Sequence, residues 1–419
     1  MEFTGFTEKQ VDVIQEGYAA LNIYTGGVRG GKTFLTYFNV PELIAMFPKS
    51  KGILIGKTLA SLSENVLSPM RELYGPKAIS EIKTGQDGIK YAIIFNKKCR
   101  CVGANDSKAE NKIRGATYGW AIGDEVSTWS KSTFDMLMSR LSEPGAICVV
   151  TTNPDEPGHW FNQNYILKDG IDKKVFCFTI DDNPYLDQAY VANLKNIYRG
   201  TVLYDRLILG KWASGSGAIY KRFIEEEEKY IINEYNKNDI VDYSIGIDFG
   251  ENTSATTFSL LGLARNYNEL IVLEEEHITE HKDAELLKQQ FLTFLKKCLA
   301  AGWRINHAWY DNAQKTLGES LKSAVEVEGL PCIVEPCTKD LINERVQQEL
   351  ILFGSYRIKI MSHCKWSIKA FKEAVYNEET NERLDVVGPE NPIDHLDSIE
   401  YAFYKWIKNL ILKALYNRS

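Results

Sequence analysis

The sequence predicts an α/β protein whose N-terminal domain is a mostly parallel sheet built around one glycine-rich loop. Three observations predict it. The stretch Gly26-Gly27-Val28-Arg29-Gly30-Gly31-Lys32-Thr33 satisfies G-x-x-x-x-G-K-[ST]. An apolar run, Ala20 to Tyr24, reads as the strand before it, and Phe34 to Val40 can continue as a helix after it. Further strand-like runs then alternate with helical ones and end in polar loops, the pattern of a parallel sheet with its ligands at the strand C-termini.

The loop implies a phosphate ligand. Gly26, Gly30 and Gly31 let backbone N–H groups turn inward around a phosphate, and the following helix N-terminus adds its partial positive charge. Lys32 then reaches the β/γ-phosphates of ATP, and the Thr33 hydroxyl can hold Mg²⁺. Ahead of it, Thr7 is an N-cap for an amphipathic helix from Val11 to Tyr18. Gln10 stands about fifteen residues before the loop, where helicase-like ATPases read the adenine edge, although a surface glutamine fits the same pattern.

Composition narrows the class. A chain of 419 residues with 44% hydrophobic and 25% charged residues is globular and long enough for two or three domains. No apolar run approaches a membrane span, and Met1 to Thr4 do not begin a signal peptide. The eight cysteines form no C-x-x-C pair, so reduced thiols are expected rather than zinc. The net charge of −7 argues mildly against nucleic acid, but local clusters can override it.

Taken in order, Lys51 to Gly56 reads as a buried strand and Ser61 to Tyr74 as a helix. Tyr91–Phe95 and Cys99–Val102 flank a hairpin turn. Trp120 to Gly123 and Ala146 to Val150 are further strands, which lead into Asp124-Glu125 and Thr151-Thr152-Asn153-Pro154. Residues 1–165 form the first domain on this reading, 166–235 a small linker subdomain, and 236–419 a second strand-rich domain. In that domain Asp242–Asp248, Thr256–Leu263, Leu270–Glu274 and His307–Asp311 read as strands, with a long helix from His281 to Ala300.

Hydrolysis needs acids as well as a phosphate loop. Asp124 suits Mg²⁺ coordination and Glu125 suits polarising the attacking water. A polar side chain in Thr151 to Pro154 can contact the γ-phosphate and report its loss. The added cation at the γ-phosphate is Arg29 or Arg140, although Arg140 also reads as an ordinary surface helix residue.

The order of these motifs resembles the large terminase subunit of tailed bacteriophages. Gln10, a P-loop with an embedded arginine, Ile113-Arg114-Gly115 before Trp120–Glu125, and Thr151–Pro154 carry the resemblance. Asp182-Asn183-Pro184-Tyr185-Leu186, Gly210-Lys211-Trp212 and Gly217–Phe223 resemble that family's connector. The resemblance spans nearly the whole chain. It implies a DNA-packaging motor: a RecA-like (ASCE) ATPase joined to an RNase H-like nuclease that cuts concatemeric DNA as packaging starts and ends. It also implies double-stranded DNA, a small terminase subunit and the capsid portal as partners, a ring on the portal, and the host bacterial cytoplasm as the setting, with no membrane.

The second domain can be read without the family. Asp248 ends a strand before Phe249-Gly250-Glu251-Asn252, and Asp311 ends another. Asp394 and Asp397 open a helix running from about Ser398 to Leu410, and their spacing of three puts them on one helical face. In a βββαβ-like order these carboxylates can converge on two divalent ions, Mg²⁺ or Mn²⁺, that clamp both oxygens of a phosphodiester. Similar terminases place a histidine or other polar ligand three residues before the last aspartate. Asp394 occupies that position here and His395 follows it, so either can be the fourth ligand. Glu275 or Glu276, after the third strand, could also contribute, although a solvated strand end is the simpler reading. Basic clusters for DNA are Lys97-Lys98-Arg100, Lys108-Lys112-Arg114, Lys173-Lys174, and Lys365-Lys369-Lys372 interleaved with Trp366 and Phe371. Two other readings compete. One is a helicase–nuclease of repair type, and the other is an ATP-switched DNA-binding protein with a degenerate second domain.

Overall fold

Alternating apolar strands and amphipathic helices build two compact units in the computed structural model, which describes residues 5–105, 108–250, 254–279, 284–386 and 388–416. Met1 to Thr4, Glu251, Asn252 and residues 281–283, to which the sequence reading assigned features, lie outside the described residues. The first unit comprises residues 1–187 and 203–214, and the second 188–202 and 215–419. By packing, the segment 166–235 is therefore shared between the two.

The first unit holds β1 (Leu21–Gly26), β2 (Gly52–Gly56), β3 (Lys83–Thr84), β4 (Lys90–Ile94), β5 (Lys97–Gly103), β6 (Trp120–Gly123), β7 (Ile147–Thr152) and β8 (Lys173–Phe178). Among the described residues they form one sheet in the order β3-β4-β5-β2-β6-β7-β1-β8. The strands from β5 to β8 along that order are parallel, while β3–β4 and β4–β5 are antiparallel. Every residue of β1, β2, β6 and β7 is buried, as expected of strands covered on both faces. One face packs against the helix Lys32–Met46 through Leu35, Val40 and Leu43, the other against Phe134, Leu137 and Phe161.

The order sets the site. β6, β7 and β1 are neighbours and run in parallel, so Asp124, Thr152 and Gly26 all emerge at one end. Gly26 has φ 135°, and a Cβ there would lie 1.9 Å from the Phe178 carbonyl oxygen, so the loop leaves β1 by a path closed to side chains. The expected helix Ser61–Tyr74 is interrupted: Leu59–Leu62 and Ser68–Tyr74 are α-helical, but Ser63–Leu67 is a π-turn.

The second unit holds β9 (Ile231–Ile232), β10 (Ile240–Asp248), β11 (Thr256–Ala264), β12 (Leu270–Ile278), β13 (Ile305–Asp311), β14 (Ile333–Cys337) and β15 (Ile358–Met361). Their order is β14-β13-β10-β11-β12-β15-β9 among the described residues. β10, β11 and β12 form an antiparallel meander, and β13 then returns parallel to β10 after the helix Ala284–Ala300. The helix Asp394–Phe403 lies on β10 and β11. Gly246 makes the approach possible, because a Cβ there would meet the Ser398 carbonyl oxygen at 1.7 Å. The expected single C-terminal helix is two, Asp394–Phe403 and Ile407–Tyr416, separated by a turn at Tyr404 to Trp406.

Candidate functional site

In the first unit a cleft of about 740 Å³ opens at the C-terminal ends of β1, β6 and β7. The predicted loop residues Arg29, Gly30, Gly31, Lys32 and Thr33 line it, with Gln10, Glu125 and Thr151 to Asn153. Lys32 is buried, and its Nζ donates to the carbonyls of Gly26, at 2.8 Å, and Gly27. Burial pushes the ammonium down to about 8, against the opposing charges of Asp124 and Glu125.

Asp124 is 2% exposed and accepts hydrogen bonds on both oxygens. Its Oδ1 accepts from the Thr151 hydroxyl at 2.8 Å and faces the Thr33 hydroxyl at 3.4 Å. Its Oδ2 accepts from Asn65 Nδ2 at 3.0 Å. Sequence reasoning missed Asn65, which stands in no motif. Glu125 follows with φ 56° and ψ 50°, a left-handed conformation costly for a non-glycine residue. Its side chain lines the cleft, and its amide donates to Thr151 Oγ1 at 3.1 Å. Burial, followed by the charge of Asp124, holds the Glu125 carboxyl above the ordinary range. The Thr151–Asn153 segment continues the network: the Ser127 amide donates to Thr152 Oγ1, and the Ser127 hydroxyl to the Asn153 carbonyl.

Gln10 is buried rather than on the surface. It forms a capping box with Thr7, and its Nε2 donates to the Gly31 carbonyl at 3.0 Å, tying the first helix to the loop. Asn183 donates to the Arg29 carbonyl at 2.8 Å, and Tyr185 and Leu186 line the same cleft. Arg140 is not brought there. It ends the helix Lys131–Arg140, and its carbonyl accepts from Tyr118, just before β6, so it sits at the opposite end of that strand from Asp124.

In the second unit Asp248 and Asp311 end the adjacent parallel strands β10 and β13. The loss of solvent around Asp248, then the charges of Asp397 and Asp394, hold its carboxyl well above the carboxylate range. Asp311 goes the other way. Desolvation opposes it, but the Ala313 amide and Lys339 lower it. Asp394 is buried, accepts from Asn391 Nδ2 at 3.2 Å, and receives the Thr257 hydroxyl on its carbonyl. The charges of Asp311, Asp394 and Asp397 thus all act on Asp248, and the hard oxygens of the four suit Mg²⁺ or Mn²⁺. Among the described residues, however, no group of three or more acidic, histidine or cysteine side chains is already gathered as a metal cage.

Two buried arginines behind Asp397 were not legible in the sequence. Arg345 and Arg383 each pair with Asp397 and with Glu400, and Arg383 also approaches Glu349. Glu349 lies at 0% exposure, bonded to the Tyr220 hydroxyl, and burial lifts it to about 7. His395 is turned away from this cluster. It is fully buried, with Nε2 3.1 Å from His277 Nδ1, inside a stack that includes Trp366. Asp394, unlike His395, is among the groups whose charge acts on Asp248. Glu275 is not a solvated strand end: it accepts from the amides of Trp366 and Ser367 and from the Ser367 hydroxyl, capping the helix Lys365–Glu373. Glu276 is exposed, as expected.

Many of the expected basic clusters are engaged within the fold. Lys173 donates to three carbonyls, Lys97 to that of Pro48, and Lys98 lies over the Tyr91 ring at 4.1 Å. Phe371 is fully buried instead of interleaved on a surface, and Lys372 pairs with Glu227 at 2.7 Å.

The first unit is a mostly parallel α/β unit with a G-x-x-x-x-G-K-[ST] loop at its strand ends, and a second, mixed α/β unit follows it. Residues 23–227 match the family model described as terminase large subunit, T4likevirus-type, N-terminal. Among solved structures, the large terminase from a thermophilic bacteriophage superposes with TM-score 0.78 at 21% identity, covering 95% of this chain and 98% of that one. The same protein in complex with ADP gives TM-score 0.76 at 21% identity, covering 94% and 98%. Its complex with ATP-gamma-S gives 0.76 at 20% identity, covering 95% and 98%. No curated protein matches. The family model thus matches the N-terminal part of the chain, and nearly the whole chain shares the fold of that large terminase. Among the described residues no helix is long and apolar enough to cross a membrane.

Proposed function

We propose that this chain is an ATP-driven motor subunit that moves double-stranded DNA into a viral procapsid, with an RNase H-like endonuclease in its second unit that cuts concatemeric DNA at the start and end of packaging. The observation that carries the reading is the convergence of Lys32 and Thr33, Asp124 and Glu125, and Thr151 at neighbouring strand ends. The phosphates of ATP lie in the loop Gly26–Gly31, with Lys32 released from its carbonyl partners to meet them. Thr33 and Asp124 would hold Mg²⁺, which when bound would supply positive charge to the phosphates. Glu125 orients and deprotonates the attacking water, a role served by a carboxyl whose affinity for protons is raised. Arg29, within the loop, is the cation for the departing γ-phosphate. Thr151 touches both acids and passes their movement to Ser127 and Asn153.

The nuclease reading rests on Asp248, Asp311, Asp394 and Asp397 sharing one end of the second sheet. Their donor set fits a pair of Mg²⁺ or Mn²⁺ ions, and the crowded charge around Asp248 is the condition a divalent cation relieves. A small terminase subunit and the capsid portal are the packaging partners, in the host cytoplasm, with ring assembly completing the motor. ATP turnover and nucleotide binding in wild type, Lys32→Ala and Glu125→Gln test the first site. Lys32→Ala loses binding, whereas Glu125→Gln keeps it and hydrolyses roughly 10²- to 10⁴-fold more slowly. Wild-type turnover in Glu125→Gln would overturn the assignment.

A further inference from the structure

We propose that Asn65 is a positioning residue for the ATPase centre, fixing the Asp124 carboxylate so that its other oxygen faces the Thr33 hydroxyl. The inference rests on the ATPase reading above and adds to it a residue outside the loop and the acid pair.

The local backbone is unusual where Asn65 occurs. Between two α-helical segments, Ser63–Leu67 forms a π-turn. Such a turn holds an extra residue and swings side chains out of α-helical register, which is why π-turns recur at functional sites. Here it brings Glu64 and Asn65 to the wall of the cleft. The Asn65 amide donates to Asp124 Oδ2 at 3.0 Å. The Asn65 carbonyl accepts from the Tyr37 hydroxyl at 2.6 Å. Tyr37 lies on the helix Lys32–Met46, one turn beyond Thr33, and its own carbonyl receives the Tyr74 hydroxyl at 3.2 Å. Asn65 is thereby tied to the helix that carries Thr33 and holds the acid that faces Thr33.

The geometry has a chemical consequence. Asp124 is nearly inaccessible, so its oxygens take their directions from protein donors rather than from water. Thr151 fixes Oδ1 and Asn65 fixes Oδ2, which sets the carboxylate plane. A carboxylate has about four acceptor sites, so capacity for a cation remains on the side of Thr33. Without the Asn65 amide, Oδ2 has lost its donor, and the carboxylate can rotate away from Thr33. Groups that orient a metal-binding carboxylate in this way are worth about 10- to 100-fold in metal affinity or activity.

The test is Mg²⁺ titration of the binding of a fluorescent ATP analogue to wild type, Asn65→Ala and Asn65→Leu, with ATP turnover measured in parallel. Asn65→Leu keeps the branched side-chain shape without its hydrogen-bonding groups, and thermal melting reports whether each variant is folded. Both variants are expected to bind the analogue like wild type in EDTA. Both need about 10- to 100-fold more Mg²⁺ for the metal-dependent gain in affinity, and both turn over ATP more slowly by a similar factor. A folded Asn65→Leu with wild-type Mg²⁺ dependence would overturn the proposal. A wild-type chain that binds no nucleotide in any condition would instead remove the ATPase reading beneath it.

Discussion

At the scale of single residues, Lys32 has the clearest pH signature. Burial lowers its ammonium to about 8 from an ordinary value of 10.5. An anionic phosphate favours the charged form, so the nucleotide complex holds the proton to higher pH than the free protein does. Apparent nucleotide affinity should therefore fall as pH climbs from about 8 towards 10.5, because binding must then recover a proton that free Lys32 has lost. Calorimetry in buffers of different ionisation enthalpy should show proton uptake in that window, and affinity that stays level across it would contradict the account. Lys32, Thr33, Asp124 and Glu125 were all legible in the sequence because each belongs to a short run next to an apolar strand. Asn65 was not, because it meets Asp124 across 59 residues and no local pattern records that contact. Arg345 was hidden for the same reason, lying 52 residues from Asp397.

At the scale of elements, two devices hold the second site in place. Glu275, on β12, caps the helix Lys365–Glu373 with three hydrogen bonds to one carboxylate. Glu275→Ala leaves the two amides and the hydroxyl of that helix end without their acceptor, which should cost about 1–3 kcal/mol in urea unfolding. A change near zero would show that the cap contributes little. The second device joins the helices Ile342–Gly354 and Asp394–Phe403 through Arg345, Arg383, Glu349, Glu400 and Asp397. Breaking a buried ion pair from one side is far costlier than replacing both partners with neutral groups. Arg383→Met should thus destabilise by about 3–5 kcal/mol, and adding Glu400→Gln should recover part of that loss. If the double variant is weaker than the single by the full cost of a second lesion, the two groups are not acting as a pair. The sequence showed β10 to β13 as strands, because their apolar runs are continuous. It did not show the π-turn or the split in the last helix, because neither Ser63–Leu67 nor Tyr404 to Trp406 contains a proline or glycine to mark the break.

At the scale of the whole molecule, each compact unit carries its own sheet and its own cluster of acids. The first cluster is built around a phosphate loop and a lysine, the second around four aspartates with arginines behind them. On the proposed function, a net charge of −7 would leave DNA contact to local positive surfaces, and several lysines the sequence offered for that role are engaged with carbonyls and rings within the fold. If the proposed function holds, its two chemistries rest on different carboxylates and must be separable by substitution. The measurement that tests this most directly takes wild type, Glu125→Gln and Asp248→Ala through ATP turnover and plasmid cleavage with Mg²⁺, Mn²⁺ or EDTA. The account predicts that Glu125→Gln loses turnover and still cleaves with metal, while Asp248→Ala turns over ATP and no longer cleaves. Cleavage that persists in Asp248→Ala, or a wild type that never cuts with either metal, would contradict it.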